Sequence, residues 1–126
     1  MYTLTVEETF AAAHQLRGYQ GKCENMHGHT WKAALSIAGD QLNNIGLLVD
    51  FQDIKAVLRE ITAMFDHKNI NELPPFDVIN PSSENLSKFF YDEAVRRFAA
   101  KTPTLKVSSV TVWESPTACC TYTESR

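Results

Sequence analysis

Polar and apolar residues alternate from the start of this chain. Tyr2, Leu4 and Val6 interleave with Thr3, Thr5 and Glu7, the period of a half-buried strand, which predicts a first strand running to about His14. Residues 15–28, with Gly18, Gly21 and Gly28, then form a long connection. Connections of that length inside a compact domain are commonly functional. Alternation resumes through Trp31, Ala33, Leu35 and Ile37, predicting a second strand over roughly His29 to Ala38, antiparallel to the first. Asn43-Asn44-Ile45-Gly46 is a turn, followed by a short apolar piece ending at Asp50.

The period then changes. Ile54, Val57, Leu58, Ile61 and Phe65 recur at helical spacing, with Asp50 or Asp53 placed to cap the start and the helix stopping near Phe65. Pro74-Pro75 enforces extended backbone. In Asn80-Pro81-Ser82-Ser83-Glu84-Asn85 a serine can cap a second helix, with Glu84 near the positive end of its dipole. Leu86, Phe89, Phe90 and Phe98 line its buried side, while Lys88, Arg96 and Arg97 stay in water. Val107 to Glu114 reads as a third strand; Pro116 breaks it, and Ala118 to Thr123 is a fourth. The order β-β-α-α-β-β predicts one α+β domain over residues 1–126, a four-stranded antiparallel sheet with two helices on one face. Its outer strands keep open edges, which invite pairing with other chains, so self-association is expected.

Composition narrows the class. At 126 residues, 44% hydrophobic and 21% charged, the chain is an ordinary globular domain. A net charge of −3 and a pI near 5.8 give none of the basic surface that nucleic-acid binding needs. No apolar run is long enough for a membrane span. Met1-Tyr2-Thr3-Leu4-Thr5-Val6 has neither the basic end nor the apolar core of a signal peptide. Three cysteines, two of them adjacent, make no disulfide framework, and a reducing, cytoplasmic setting is expected.

The densest chemistry lies in Cys23-Glu24-Asn25-Met26-His27-Gly28-His29. Residues of odd number in the second strand share one face, so His27 and His29 project side by side, as two ligands of one metal must. His14 ends the neighbouring strand, and the one other histidine is His67. His14, His27 and His29 read as a three-imidazole metal site with one position open for chemistry; zinc suits three neutral nitrogens, with iron and nickel the other metals such a set takes. Cys23 is either a small buried hydrophobe, a fourth ligand, or a thiol whose ionisation the metal or the adjacent Lys22 promotes. Asp66-His67 is either punctuation at a helix C-terminus or a carboxylate setting the tautomer of a proton-relaying imidazole. Glu114, beside Trp113, is a solvated strand end or, if buried, a bidentate acceptor for a ligand with two adjacent N–H groups. Cys119 and Cys120 read as strand residues without chemistry.

Taken together these segments resemble the 6-pyruvoyltetrahydropterin synthase superfamily. The resemblance is carried by Cys23-x3-His27-Gly28-His29, by Phe10-Ala11-Ala12-Ala13-His14, by Phe65-Asp66-His67-Lys68-Asn69-Ile70-Asn71, by Pro81-Ser82-Ser83-Glu84-Asn85-Leu86 and by Trp113-Glu114, in family order along the whole chain. The three-residue gap between Cys23 and His27 is similar to that of the bacterial 6-carboxytetrahydropterin synthases of the 7-deazaguanine (queuosine) pathway. Ser82-Ser83 stands where relatives often carry threonine, which keeps the hydroxyl. The resemblance implies a tunnelling fold, a homohexamer of two trimers whose sheets close into barrels, and a zinc-dependent carbon–carbon lyase. Its substrate would be 7,8-dihydroneopterin triphosphate, converted to 6-carboxy-5,6,7,8-tetrahydropterin with loss of acetaldehyde and triphosphate. It further implies zinc on His14, His27 and His29, Cys23 as base, His67 oriented by Asp66 as relay, and Glu114 holding the pterin. Ser82 and Ser83 would also meet substrate, and Lys22 and Arg17 the triphosphate. A pyruvoyl-forming or side-chain-cleaving relative, or a non-catalytic metal-binding scaffold, is the alternative.

Overall fold

The computed structural model describes residues 1–18, 25–102 and 104–124. Two thirteen-residue strands, β1 (Tyr2–His14) and β2 (His27–Gly39), form its centre and pair antiparallel over their full length, His14 opposite His27 and Tyr2 opposite Gly39. β2 therefore starts at His27, two residues before the predicted start, which brings both histidines of the pair into regular strand. The helix α1 spans Phe51–Thr62, and Asp50 is the residue that caps it, accepting from the Gln52 N–H at 2.8 Å. It ends three residues short of Phe65, which is nonetheless fully buried.

A fifth, two-residue strand, β3 (Lys68–Asn69), corrects the four-strand expectation: it lies parallel to β1 at Ala12–Ala13. Two residues are too short to show alternation, so no pattern announces it; it forms because the turn at Asp66-His67 lays the chain along the edge of β1. After a 3-10 turn at Ile70–Glu72, α2 (Ser83–Lys101) begins on its Ser82 cap. β4 (Lys106–Ser115) and β5 (Ala118–Tyr122) complete a sheet of order β3-β1-β2-β4-β5.

Even-numbered residues of β1 (Val6, Phe10, Ala12, His14), odd-numbered residues of β2 (Trp31, Ala33, Leu35, Ile37) and Val110 and Val112 of β4 face the helices. Ile54, Val57, Leu58 and Ile61 of α1 and Leu86, Phe90, Tyr91 and Ala94 of α2 meet them. Burying side chains of this size stabilises by roughly 1.5–3 kcal/mol each. Trp31, 0% exposed, stacks on Phe10 at 6.0 Å and donates from its indole N–H to the Ala12 carbonyl at 3.2 Å. It forms the end wall of the apolar core. Beyond it, on the same face, the strands carry polar side chains.

Candidate metal centre

Strand parity and register assemble the site. His14, His27 and His29 extend the helix-facing rows of β1 and β2 past Trp31, and His14 and His29 both lie edge-on to its ring, at 4.8 and 5.5 Å between centroids. Glu114 continues the Val110–Val112 row of β4, whose register sets Trp113 opposite Lys32. Ligand atoms of His14, His27, His29 and Glu114 all lie within 4.8 Å of one another.

The hydrogen bonds of two rings show what the cluster is built for. The Nδ1–H of His14 donates to the Pro81 carbonyl at 2.8 Å, and that of His27 to the Asn25 carbonyl at 2.7 Å. In a neutral imidazole this leaves Nε2 as a bare lone pair. The two Nε2 atoms stand 3.1 Å apart, and Glu114 Oε1 lies 3.1 Å from that of His14, 3.8 Å from that of His27 and 3.0 Å from that of His29. The His29 Nε2 is buried and, despite its distance to Glu114, out of line for a hydrogen bond. Burial, outweighing the attraction of Glu114 and aided by the two other imidazoles, pushes the His29 imidazole below its usual range, which favours the unprotonated ring. Acceptors thus converge on one another, an arrangement a cation reconciles. Ligands of a tetrahedral zinc at ~2.0–2.1 Å stand roughly 3.3 Å from one another, a spacing close to the one seen. The donor set fits a bound metal, and tying Nδ1 to backbone carbonyls is how proteins aim such rings.

The other site residues fall elsewhere. Asp66 Oδ1 accepts from the Ala11 N–H at 2.9 Å, and Oδ2 lies 3.1 Å from His67 Nδ1. The Ala11 N–H, and after it the His67 contact, hold the Asp66 carboxyl below its usual range. His67 itself takes a left-handed backbone (φ 59), uncommon for a residue other than glycine. Its N–H bonds the Ala11 carbonyl, so residues 66–67 grip both backbone groups of one β1 residue. Asp66 and His67 stand as a carboxylate–imidazole pair. With residues of β1 and β2 that include Ala11, Ala12, Thr30 and His29, His67 borders a shallow cleft of about 500 Å³. Ala11, Ala13, Gly28 and Thr30 have the parity of the helix-free face, while His29 of the imidazole cluster borders the same cleft.

Ser82 uses its hydroxyl to cap α2, accepting from the Asn85 N–H at 3.1 Å, and Ser83 is the first helical residue. The Arg17 guanidinium, read as a triphosphate contact, instead donates to the carbonyls of Phe76, Ile79 and Asn71 at 2.7, 3.2 and 3.3 Å. Nothing in the linear sequence placed those carbonyls around it. Lys22 and Cys23 lie outside the described residues. Cys119 and Cys120 are free thiols pointing to opposite faces of β5.

An α+β sheet carrying three strand-borne imidazoles and a carboxylate at one end defines a candidate metal-binding protein. The sequence profile of the "6-pyruvoyl tetrahydropterin synthase" family matches residues 3–125, and the chain belongs to that family. It is 26% identical to a 6-carboxy-5,6,7,8-tetrahydropterin synthase of Haemophilus influenzae, over 98% of this chain and 100% of the relative. It is 34% identical to a putative 6-carboxy-5,6,7,8-tetrahydropterin synthase of Archaeoglobus fulgidus (73% and 75% covered) and 33% identical to a 6-pyruvoyl tetrahydrobiopterin synthase of Dictyostelium discoideum (71% and 76%). The fold matches the Caenorhabditis elegans 6-pyruvoyl tetrahydropterin synthase with a TM-score of 0.85 at 23% identity, covering 98% of this chain and 96% of that one.

Proposed function

We propose that this protein is a zinc-dependent 6-carboxy-5,6,7,8-tetrahydropterin synthase acting on 7,8-dihydroneopterin triphosphate, with release of acetaldehyde and triphosphate, in 7-deazaguanine (queuosine) biosynthesis. The observation that carries the reading is the convergence of three Nε2 atoms, two of them on rings pre-aimed by backbone carbonyls. When bound there, zinc supplies a Lewis acid that polarises the substrate's side-chain oxygens and acidifies the neighbouring C–H bonds. His14, His27 and His29 hold it.

Cys23, four residues before His27, takes the proton. His67 relays it: its Nδ1–H is directed at Asp66, which leaves Nε2 available for exchange. Glu114 accepts from the ring N–H and amino group of the pterin, turning away from the imidazoles to do so. Ser83, at the start of α2, and Lys22 contact substrate; Ser82 contributes by holding that helix end. Because the His67 side chain stands 82% exposed beside the edge of β1, a second copy is taken to bring its pair to each metal centre. The edge of β1 before Ala12, which β3 does not cover, and the edge of β5 offer the means, and the assembly is a cytoplasmic homohexamer of two trimers. The spacing Cys23-x3-His27 favours the carboxy product; the Dictyostelium relative keeps the pyruvoyl-forming reaction as the second reading.

Incubating the zinc-loaded protein with 7,8-dihydroneopterin triphosphate tests this directly. Carboxytetrahydropterin with acetaldehyde is the expected outcome. A pyruvoyl pterin without aldehyde would move the chain to the second reading, and unchanged substrate would leave only a metal-binding scaffold.

A further inference from the structure

The strand ladder between β1 and β2 ends at the pair His14–His27, which leaves a proposed ligand on the last rung, where strands fray. Yet the chain beyond His14 is held in line. The Gln15 N–H donates to Asn71 Oδ1 at 2.8 Å, and Asn71 Nδ2 donates to the Gln15 carbonyl at 3.0 Å. Two residues on, the Arg17 N–H donates to Asn80 Oδ1 at 2.8 Å and Asn80 Nδ2 to the Arg17 carbonyl at 2.9 Å. Each side-chain amide makes the donor–acceptor pair that a neighbouring strand would make to alternate residues. Both partners are backbone groups of fixed role, so the orientation of each amide is dictated. The two amides are themselves anchored: Asn69 Oδ1 accepts from the Asn71 N–H at 3.1 Å, and Asn85 Nδ2 donates to the Asn80 carbonyl at 2.9 Å. The next residue after Asn80, Pro81, is the one whose carbonyl receives His14 Nδ1–H.

We propose that Asn71 and Asn80 are positioning residues for the metal centre. They extend β1 by two artificial rungs, and so keep the His14 ring seated on the Pro81 carbonyl with Nε2 aimed at the cluster. The proposal rests on His14, His27 and His29 being the ligands. It predicts a gradient: Asn71 grips the residue adjoining His14, Asn80 one three positions away, so the first should matter more.

Zinc affinity, measured by competition with a chelating dye on metal-free protein, tests it alongside the melting temperature of each metal-free variant. Asn71→Ala should bind zinc about 10–100-fold more weakly than wild type, the usual effect of losing a group that orients a ligand. Asn71→Asp keeps the acceptor for the Gln15 N–H but sets a carboxylate against the Gln15 carbonyl, and should fall between. Asn80→Ala should lose less than Asn71→Ala, and the visible spectrum of the cobalt-loaded Asn71 variants should shift from that of wild type. Phe98→Leu, in the core away from the cluster, serves as a control for general destabilisation. Wild-type affinity in both Asn71 variants, or a loss no greater than that of Phe98→Leu at an equal drop in melting temperature, overturns the proposal. If Asn71→Ala does not fold, Asn71→Asp and Asn80→Ala carry the same comparison. A wild type that binds no zinc would overturn the ligand assignment itself, and this inference with it.

Discussion

The imidazole cluster and the Asp66-His67 turn both lean on β1, and they are finished to very different degrees. The cluster is sheltered: His14 is 1% exposed, and the side chains of His27 and His29 are 27% and 26% exposed. Two of its rings are locked by backbone carbonyls. The turn is also locked in its backbone, yet the side chain of His67 is 82% exposed and that of Asp66 44%. Proton transfer gains little from a pair left in open water, where solvent competes for every hydrogen bond. One chain thus gathers four groups that could hold a metal ion and leaves its carboxylate–imidazole pair in open water. On the proposed function, the acid–base half comes from a second copy paired through the open sheet edges.

The largest effects should come from the finished half. His27→Ala or His29→Ala should remove roughly one equivalent of metal per chain and all measurable turnover, checked by elemental analysis and product assay. Metal-free wild type with full activity would dissolve the contrast at once. On the other half, His67→Ala and Cys23→Ala should retain metal and oligomer and lose ~10²–10⁴-fold in turnover. Metal lost together with activity in Cys23→Ala would point to a closed, four-ligand site instead.

Mixing the halves sharpens the argument further. If each working site draws its ligands from one copy and its His67 from another, His27→Ala and His67→Ala chains, each inactive alone, should complement one another. Random co-assembly after mild dissociation should restore roughly a quarter of wild-type activity, since half of the sites receive intact ligands and half of those an intact relay. No recovery in demonstrably mixed oligomers would place both halves in one copy.

The contrast also explains what was legible beforehand. The imidazoles were readable because strand parity is local: residues 27 and 29 share a face whatever the rest of the chain does. Their convergence with His14 followed from one antiparallel pairing. Glu114 was a different case. Its place among the imidazoles depends on the register of β4 against β2, which shifts between Ser36 and Ile37, and no short-range pattern encodes that irregularity. The same holds for Arg17, whose three carbonyl partners lie more than fifty residues away. The resemblance suggested a triphosphate contact, and tertiary packing ties the guanidinium to backbone carbonyls. β3 was invisible for want of length.

The smallest expected effect concerns Glu114, the one residue that belongs to both the cluster and the proposed substrate pocket. Its Oε1 stands where a fourth ligand would, while the cleft it borders with Trp113, Thr30 and Lys32, about 510 Å³, has room for a ligand beside the imidazoles. A pterin edge offers a ring N–H and an amino group side by side, which a carboxylate accepts in two parallel hydrogen bonds. Glu114→Gln keeps the volume and turns one acceptor into a donor, so a donor faces a donor. A buried mismatch of that kind costs roughly 1–3 kcal/mol, more where a charge is lost. Pterin affinity should fall by ~10-fold or more with metal content unchanged, because three imidazoles suffice to hold the metal. Titrating a non-reactive pterin analogue into zinc-loaded wild type and variant reads the first quantity, and elemental analysis the second. Weakened zinc with unaltered pterin binding would make Glu114 a ligand, and equal values of both would make it a strand end without function.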